Sequence, residues 1–310
     1  MVQWPFAFYL PPLDFLVFCA AMARKPTITI VGPGNVATAL AISLRKAGYR
    51  ISEVVSRDLP DSKARARSLA RKTGARAATH AEAALHADLV WLCVTDDAIA
   101  PTARALARAS HGKGKWKGKI ALHSSGALTS DQLAPLRKRG ASVAALHPMM
   151  TFVRGAPPSM KGVPFAVEGD SAAVTVARHI ARDLGGKAFP IRKRNKTLYH
   201  AFGAFASPLM IATLAMAERV ALAAGVPKAS VRDAMLPITR RTFENFLRGG
   251  TAAAFSGPVN RGDVRTVARH LRALRKVKGA REIYLALARS VLDTLPVKNR
   301  AALRKVLKGG

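Results

Sequence analysis

A set of side chains suited to proton transfer occurs with helical spacing in the C-terminal half of the chain. A lysine, tyrosine or histidine there could protonate or polarise a carbonyl or imine group as it is reduced, and a serine could contact the substrate. The same face could equally be a seam where helices pack through small residues. The spacing leaves both interpretations open. The residues are Lys196, Tyr199, His200, Gly203 and Ser207.

Two histidines stand at the ends of predicted strands. His123 ends an apolar strand over residues 119–123, and His147 follows another over residues 141–146. The carboxyl ends of parallel strands form the edge of an α/β sheet where ligands bind. Both histidines are therefore candidate catalytic residues, although a lone histidine often serves only a core. The same position predicts cofactor contacts for Val94, Thr95, Asp96, Ser124 and Ser125.

A glycine-rich turn begins the predicted sheet. Residues 27–31 predict a buried parallel strand, the next six fit G-x-G-x-x-A, and the apolar spacing then becomes helical. In this motif the glycines make a tight turn and let a pyrophosphate approach the backbone at a helix N-terminus. The alternative is an ordinary turn with glycines needed for steric reasons. The predicted dinucleotide site comprises Gly32, Pro33, Gly34, Asn35, Val36 and Ala37.

The residues after the second predicted strand bear on the choice of cofactor. An acidic residue here binds the ribose hydroxyls of NAD, whereas an arginine accommodates the 2′-phosphate of NADP. Ser56 and Arg57 occupy this position, and Asp58 lies slightly too far along. We therefore predict NADP rather than NAD. Arg57 could instead simply begin a basic loop.

The order of the patterns predicts the fold class. Strands and helices alternate up to about residue 192, and only helical patterns follow. This indicates an α/β protein with a Rossmann-like, doubly wound, mostly parallel sheet, followed by an all-α C-terminal domain. We place the NADP-binding domain at residues 25–192 and a helical substrate and dimerisation domain at residues 193–310. A short helix over residues 80–86 and one long helix over residues 195–224 belong to this prediction.

A loop punctuated by glycine and proline, residues 257–263, precedes a late predicted helix. Arg261 in this loop could bind a substrate carboxylate or phosphate through two parallel hydrogen bonds. Asp263 is better explained as the N-cap of the helix. The sequence has no paired catalytic carboxylates, G-x-S-x-G elbow, H-E-x-x-H motif or Walker A motif, so hydrolase and NTPase functions lack support. No metal site is expected.

Charge and cysteine content limit the remaining possibilities. The net charge of +32 favours anionic partners, but lysine and arginine are spread through the chain. A basic solvated surface explains them at least as well as nucleic-acid binding does. Two cysteines, Cys19 and Cys93, indicate no disulfide framework, which fits the reducing cytoplasm.

The N-terminal extension, residues 1–24, is apolar and aromatic but broken by three prolines. It lacks the basic start of a secretory signal, and its apolar run is too short to span a bilayer. We expect Met22 to be the true start of the protein. A weak membrane anchor is the less favoured alternative.

Together the motifs GPGNVA, VSRD, VTDDAI, LHSSGAL, HPMMTF, LYHAF and GPVNRGD resemble a family of NADP-dependent oxidoreductases with a C-terminal helical domain of unknown function. Its wider relatives include pyrroline-5-carboxylate reductase and the β-hydroxyacid and 6-phosphogluconate dehydrogenases. The resemblance implies NADP at Gly32, Gly34, Ala37, Ser56 and Arg57, a substrate cleft between the domains, and a dimer built by the helical domains. The chain departs from the family pattern at Thr95 and at Ser207-Pro208.

These observations predict a cytoplasmic oxidoreductase that transfers hydride between NADP(H) and a small carbonyl, imine or hydroxy compound. The principal alternative is a protein that binds NADP without catalysis and acts as a sensor or scaffold. A nucleic-acid-associated basic protein is a lesser alternative, supported only by charge. Fold-level analogy does not separate the first two.

Overall fold

The computed structural model describes residues 24–109, 116–153, 155 and 157–308. Residues 1–23 of the predicted N-terminal extension, with the expected start at Met22, lie outside the described residues. The chain divides into two compact units, the first ending at Ala204 and the second beginning at Phe205. The domain limit at residue 192 stays a prediction.

The first unit is built around one eight-stranded sheet. Its strand order is β3-β2-β1-β4-β5-β6-β7-β8, and every neighbouring pair is parallel except β6 and β7. This sheet, with the helical region that follows it, confirms the predicted fold class. The strands are β1 (Ile28–Val31), β2 (Ile51–Ser56), β3 (Arg76–Thr79), β4 (Leu89–Leu92), β5 (Ile120–His123), β6 (Ser142–Pro148), β7 (Pro164–Gly169) and β8 (Lys187–Pro190).

Helices cover both faces of the sheet. Side chains of β1 alternate between the faces, so that Ile30 belongs to one buried cluster and Val31 to the other. The cluster that contains Ile30 includes apolar residues of α1, α2 and α5, whereas the cluster that contains Val31 includes those of α3 and α4. The helices of this unit are α1 (Asn35–Lys46), α2 (Pro60–Thr73), α3 (Asp96–Ala109), α4 (Ala134–Arg137), α5 (Ser171–Asp183) and α6 (Lys196–Ala206), the last of which runs across the division.

The predicted helix over residues 80–86 is absent, and the segment forms turns. The buried carboxylate of Glu53 accepts hydrogen bonds from the backbone amides of Ala84 and Leu85. Glu82 accepts hydrogen bonds from both the amide and the hydroxyl of Thr79. The helix prediction was wrong because side-chain carboxylates, one of them distant in sequence, hold these amides instead.

The second unit is helical. Buried side chains of α10, α11 and α12 form its core, which includes Val267, Leu285 and Leu303. Asp263 accepts a hydrogen bond from the amide of Thr266 at 3.3 Å and caps α10, as expected. The helices are α7 (Pro208–Ala223), α8 (Lys228–Ala254, interrupted at Gly250), α9 (Pro258–Arg261), α10 (Val264–Ala273), α11 (Ala280–Val291) and α12 (Arg300–Lys308).

The predicted long helix over residues 195–224 is two helices. It breaks at Ser207, which has φ −136° and ψ −81°, because a proline disfavours helical backbone in the residue before it and cannot donate a hydrogen bond itself. Ser207 therefore lies outside α6, and the predicted shared face ends at Gly203. A role for Ser207 in substrate binding stays a prediction.

Among the described residues, the helical stretch Lys193–Ala223 is apolar and long enough to cross a membrane by length and composition alone. It reaches that length only when α6 and α7 are counted together. Neither helix alone, with 11 and 16 residues, reaches the about 20 residues that a membrane span needs. The stretch is weak support for a span.

Candidate functional site

The glycine turn lies at the carboxyl end of β1, beside β4. Gly32 has φ +93°, and a Cβ there would lie 2.6 Å from Val94 Cγ1 and 2.9 Å from the carbonyl oxygen of Cys93. A side chain is therefore excluded by both conformation and space. A Cβ on Gly34 would instead meet only the Cys93 oxygen, at 3.9 Å. Gly34 thus leaves open space in front of the α1 N-terminus, as a bound phosphate requires.

A cavity of about 320 Å³ extends from this turn to a group of polar and basic side chains. It lies at the point where β1 separates strand β2 from strand β4, the topological switch point at which open α/β sheets bind ligands. Val94 and Thr95, two of the residues predicted to contact the cofactor, line this cavity. The remaining lining residues are Gly32, Pro33, Gly34, Arg57, Ser62, Arg65, His80, Cys93, Ala98 and Thr102.

The side chains of three predicted cofactor residues, in or near the turn, contact other parts of the protein or are buried within it. The Asn35 amide donates to the backbone oxygen of Phe152 at 3.1 Å, and Ala37 is fully buried under the sheet. Ser56 is also buried, and its hydroxyl donates to the carbonyl oxygen of Arg57. Ser56 is not among the residues that line the cavity with Arg57, and its predicted contact with a 2′-phosphate stays a prediction.

Sequence reasoning missed six residues that line this cavity: Ser62, Arg65, His80, Cys93, Ala98 and Thr102. Ser62 and Arg65 lie on α2, which begins at Pro60. The residue before this helix makes no side-chain capping hydrogen bond. His80 follows β3, and its amide donates to the carbonyl oxygen of Ser56 at 3.1 Å. A pairing of β2 with β3 would have predicted this neighbourhood, because the ends of adjacent parallel strands lie side by side.

His123 makes hydrogen bonds through both ring nitrogens. It is fully buried, its Nδ1 accepts from the amide of Ser125, and its Nε2 donates to the carbonyl oxygen of Thr129 at 3.0 Å. Burial lowers the pKa of His123 to about 4, so the ring is neutral at pH 7. Both ring nitrogens hold the loop after β5, and the predicted catalytic role of His123 stays a prediction.

The two serines of this loop also use their hydroxyls locally. Ser124 Oγ accepts from the indole nitrogen of Trp91 at 2.9 Å. Ser125 Oγ accepts from the amides of Ala127 and Leu128. Neither serine lines the cavity at the glycine turn. Their predicted cofactor contacts stay predictions, and the structure gives both hydroxyls a part in shaping the loop.

Lys196 is enclosed rather than exposed to a ligand. Its side chain is fully buried, Nζ donates to the carbonyl oxygen of Ser125 at 3.0 Å, and it lies 3.8 Å from Glu168 Oε1. Glu168 in turn accepts hydrogen bonds from the amide and hydroxyl of Ser130. Burial lowers the pKa of Lys196 to about 8. Lys196 therefore ties α6 to the loop after β5, and its predicted role as an acid or polarising group stays a prediction.

The remaining predicted catalytic residues meet around Gly126. Tyr199 OH lies 3.0 Å from His147 Nδ1, and the ring centroids of His147 and His200 are 6.1 Å apart. A Cβ on Gly126 would lie 2.7 Å from His200 Cδ2 and 2.8 Å from His147 Nε2. The end of β6, the first turns of α6 and the loop after β5 therefore converge on one small cluster.

Burial fixes the protonation of this cluster near pH 7. It raises the pKa of Tyr199 to about 12, so the phenol keeps its proton. Burial, aided by the charge of Lys196, lowers the pKa of His147 to about 4, so the imidazole is neutral. With the Tyr199 hydroxyl donating to Nδ1, the Nε2 of His147 carries the ring hydrogen. His200 is exposed.

Two predicted residues lie apart from these contacts. Asp96 is exposed at the start of α3, and its predicted cofactor contact is untested. Arg261 is exposed at the end of α9, in a loop that docks on residues of its own unit: Asn260 donates to the backbone oxygen of Pro296, and Lys298 donates to that of Asn260. The described residues contain no group of three or more His, Cys, Asp or Glu side chains placed to hold a metal.

Comparison with protein families finds a Rossmann-like domain over residues 20–148 and a domain of unknown function, DUF2520, over residues 163–291. The chain therefore contains both domains of the family that it resembles, a Rossmann-like domain and a DUF2520 domain. A search of curated proteins finds no match. The predicted combination of a Rossmann-like domain with a domain of unknown function is therefore confirmed. Neither domain's description assigns an activity.

Solved structures share the fold of this DUF2520 protein. A Bacteroides fragilis protein provisionally assigned as an NADP oxidoreductase is 24% identical, with a TM-score of 0.70, over 86% of this chain and 98% of that one. A Thermotoga maritima protein is 24% identical, with a TM-score of 0.66, over 91% and 98%. An imine reductase from Myxococcus stipitatus in complex with NADP⁺ is 19% identical, with a TM-score of 0.61, over 92% and 95%. At these identities the likeness shows the fold.

Proposed function

We propose that this protein is an NADP(H)-dependent oxidoreductase that transfers hydride to or from a small carbonyl, imine or hydroxy compound. The observation that carries the proposal is the pairing of a glycine turn with a polar cluster in one unit. The turn opens on a cavity at the switch point of the sheet. The Tyr199–His147 cluster stands at the end of β6, on the same carboxyl edge of the parallel strands.

The turn fits a dinucleotide. Gly32 has the backbone conformation and the close contacts that exclude a side chain, and Gly34 leaves the space that a pyrophosphate would fill. The α1 N-terminus has no acidic residue in its first turn and no side-chain cap, so its amides and positive dipole suit a phosphate. When bound, the nicotinamide would supply or accept the hydride. The imine reductase in complex with NADP⁺ adds support by its shared fold.

The chain's own contribution to the chemistry is a proton. Tyr199 keeps its proton at neutral pH and shares a hydrogen bond with neutral His147. This pair could deliver a proton to the oxygen or nitrogen that gains hydride, or remove one in the reverse direction. His200, exposed beside His147, would bind or orient the substrate. Lys196 and His123 act as positioning residues for the loop that carries Gly126.

NADP is proposed over NAD because Arg57 lines the cavity, and no acidic side chain is among the residues that line it. The fold is common to sites for both cofactors and does not decide this choice. An arginine near the second strand is the feature that distinguishes NADP sites from NAD sites. A cytoplasmic location is proposed from the cysteine content alone.

We further propose a homodimer formed through the helical unit. Large apolar side chains are exposed on α7 and α8, among them Ile211, Ile238 and Leu247, the last 78% exposed. Exposed apolar surface of this extent marks an interface. Sedimentation velocity should show a dimer at micromolar concentration, and Leu247→Asp should shift it towards monomer. A wild-type monomer would contradict this proposal.

Activity tests the proposed function directly. We expect the purified protein to oxidise NADPH when supplied with at least one member of a panel of cyclic imines, ketones and aldehydes. Tyr199→Phe should reduce that rate while leaving NADPH binding unchanged. Tight NADPH binding with no turnover across the panel would favour the sensor or scaffold alternative. No binding of either nicotinamide cofactor would remove the oxidoreductase proposal altogether.

A further inference from the structure

The cavity at the glycine turn is lined by three basic side chains, of which sequence analysis assigns only Arg57. Arg57 follows β2, Arg65 projects from α2, and His80 follows β3. All three line the same cavity as Gly32 and Gly34, with Ser62 from the first turn of α2 between them in sequence. Three separate elements thus bring two guanidinium groups and an imidazole to the cavity that the glycine turn also lines.

The chemistry of this group fits a phosphate monoester. Guanidinium groups form paired, charge-assisted hydrogen bonds with phosphate oxygens. The N-terminus of α2, which carries no side-chain cap, lies beside them through Ser62, and helix N-termini favour anions. A half-buried histidine offers one more donor when protonated. Nothing else in the nucleotide carries negative charge so far from the pyrophosphate as a phosphate on the adenosine ribose.

We propose that Arg65 and His80 complete, with Arg57, a subsite for the 2′-phosphate of NADP(H), and that His80 takes up a proton when this phosphate binds. The inference rests on the proposed function, since it needs a dinucleotide at the glycine turn. It goes beyond that function by naming two residues that select the cofactor and by coupling the selection to pH.

The proton uptake follows from the surroundings of His80. Burial and the positive charge of Arg57 lower the pKa of His80 below its ordinary value, so the ring is neutral at pH 7 in the cavity without a ligand. A phosphate with about −1.5 to −2 charges would reverse that balance and favour the imidazolium form. Binding of NADPH should therefore take up a proton and strengthen as the pH falls from about 8 to about 6.5.

Other charged groups near His80 do not account for such an uptake. Lysine and arginine remain protonated near neutral pH, and carboxylates remain ionised. The phosphate itself would lose protons on meeting arginines, which gives the opposite sign. The charged side chains of the surrounding elements are Arg57 and Asp58 after β2, Asp61, Lys63, Arg65, Arg67, Arg71 and Lys72 on α2, Arg76 in β3, Glu82 after β3, and Asp96 and Asp97 at the start of α3.

Calorimetric titration in buffers of different ionisation enthalpy measures the uptake. For the full chain at pH 7.5, about one unit above the ordinary histidine pKa, we expect NADPH binding to take up a fraction of a proton, and NADH binding to take up none. His80→Gln should abolish the uptake and weaken NADPH by about tenfold while changing NADH less than about twofold. Arg65→Gln should weaken NADPH by a similar factor.

Two exposed residues provide matched controls. Arg67 is exposed on α2, and His86 is exposed further along the loop that follows β3; neither lines the cavity. Arg67→Gln and His86→Gln should leave both affinities and the proton uptake unchanged. Adenosine 2′-monophosphate, the probe for the phosphate alone, should bind and take up a proton in the wild type but not in His80→Gln.

The outcomes separate this inference from the function on which it rests. NADPH binding without proton uptake, or with the same uptake in His80→Gln, would overturn the role of His80 while leaving the oxidoreductase proposal standing. Equal loss of NADPH and NADH affinity in Arg65→Gln would overturn the role of Arg65 in selectivity. Absence of binding by NADPH, NADH and adenosine 2′-monophosphate would overturn both proposals together.

Discussion

The hydroxyl of Tyr199 lies 3.0 Å from Nδ1 of His147, and this contact joins helix α6 to the end of β6. Burial keeps the phenol protonated and the imidazole neutral near pH 7. A neutral pair of this kind can pass a proton without creating a buried charge at rest. We therefore regard this contact as the centre of the proposed chemistry.

Removing either partner should reduce turnover without affecting the cofactor. Tyr199→Phe and His147→Asn should each lower kcat by about 100-fold, the range of general acid catalysis. The double variant should lose little more than either single variant, because the two residues act as a unit. Steady-state kinetics with NADPH titration checks this. Multiplicative losses in the double variant would show that the two residues act independently.

Gly126 should be intolerant of any side chain. An alanine Cβ would lie 2.7 Å from His200 Cδ2 and 2.8 Å from His147 Nε2, so the rings must move. Displacement of a reacting group by about 1 Å can cost about 100-fold in rate, and Gly126→Ala should lose activity to that extent while binding NADPH normally. Gly203→Ala is the control, because its Cβ would meet only the flexible Met149 side chain. Equal activity in both variants would contradict the proposed cluster.

The free energy of unfolding should decrease as the pH falls, partly because of His123. Its folded-state pKa of about 4 lies below the ordinary unfolded value of about 6.5. The unfolded chain therefore binds more protons between these values, and stability present above pH 6.5 is lost as the pH falls towards 4. His123→Gln should make the fall in the free energy of unfolding smaller by about 3 kcal/mol. Urea unfolding across this range measures it; parallel curves for the two proteins would exclude a buried neutral His123.

The buried pair of Lys196 and Glu168 should be costly to break singly. Lys196→Met leaves a buried carboxylate without its cation and should destabilise the first unit by about 3 kcal/mol. Adding Glu168→Gln should recover part of that loss, because the unpaired charge is then removed. Urea denaturation of the four proteins forms the cycle. Strictly additive effects would show that the 3.8 Å separation of Nζ and Oε1 carries no coupling.

Local patterns predicted the sheet and the glycine turn well. The turn is contiguous in sequence, and Gly32 has the positive φ that its motif requires. The alternation of strands and helices predicted a mostly parallel sheet, as observed up to β6. The burial of β1 and β4 follows from their apolar runs. Each of these features depends on residues within one or two elements.

The rest of the site depends on contacts between distant residues. His80 faces the cavity only because β3 pairs with β2 and because Glu53 keeps residues 84–85 out of a helix. Lys196 is turned inward by Ser125 and Glu168, which precede it by many residues. Arg57 lines the cavity whereas Ser56, the last residue of β2, is buried and donates its hydroxyl hydrogen to the carbonyl oxygen of Arg57. Spacing along the chain does not contain this information.

Binding of NADPH at the glycine turn is the central claim, and titration calorimetry of the wild type beside Gly34→Val tests it most directly. A valine side chain at Gly34 would begin in the space left beside the α1 N-terminus, because its Cβ would lie 3.9 Å from the nearest protein atom, the carbonyl oxygen of Cys93. We predict saturable NADPH binding to the wild type and loss of at least about 100-fold in affinity in a folded Gly34→Val variant. Absence of binding to the wild type, or equal binding to both proteins, would contradict it.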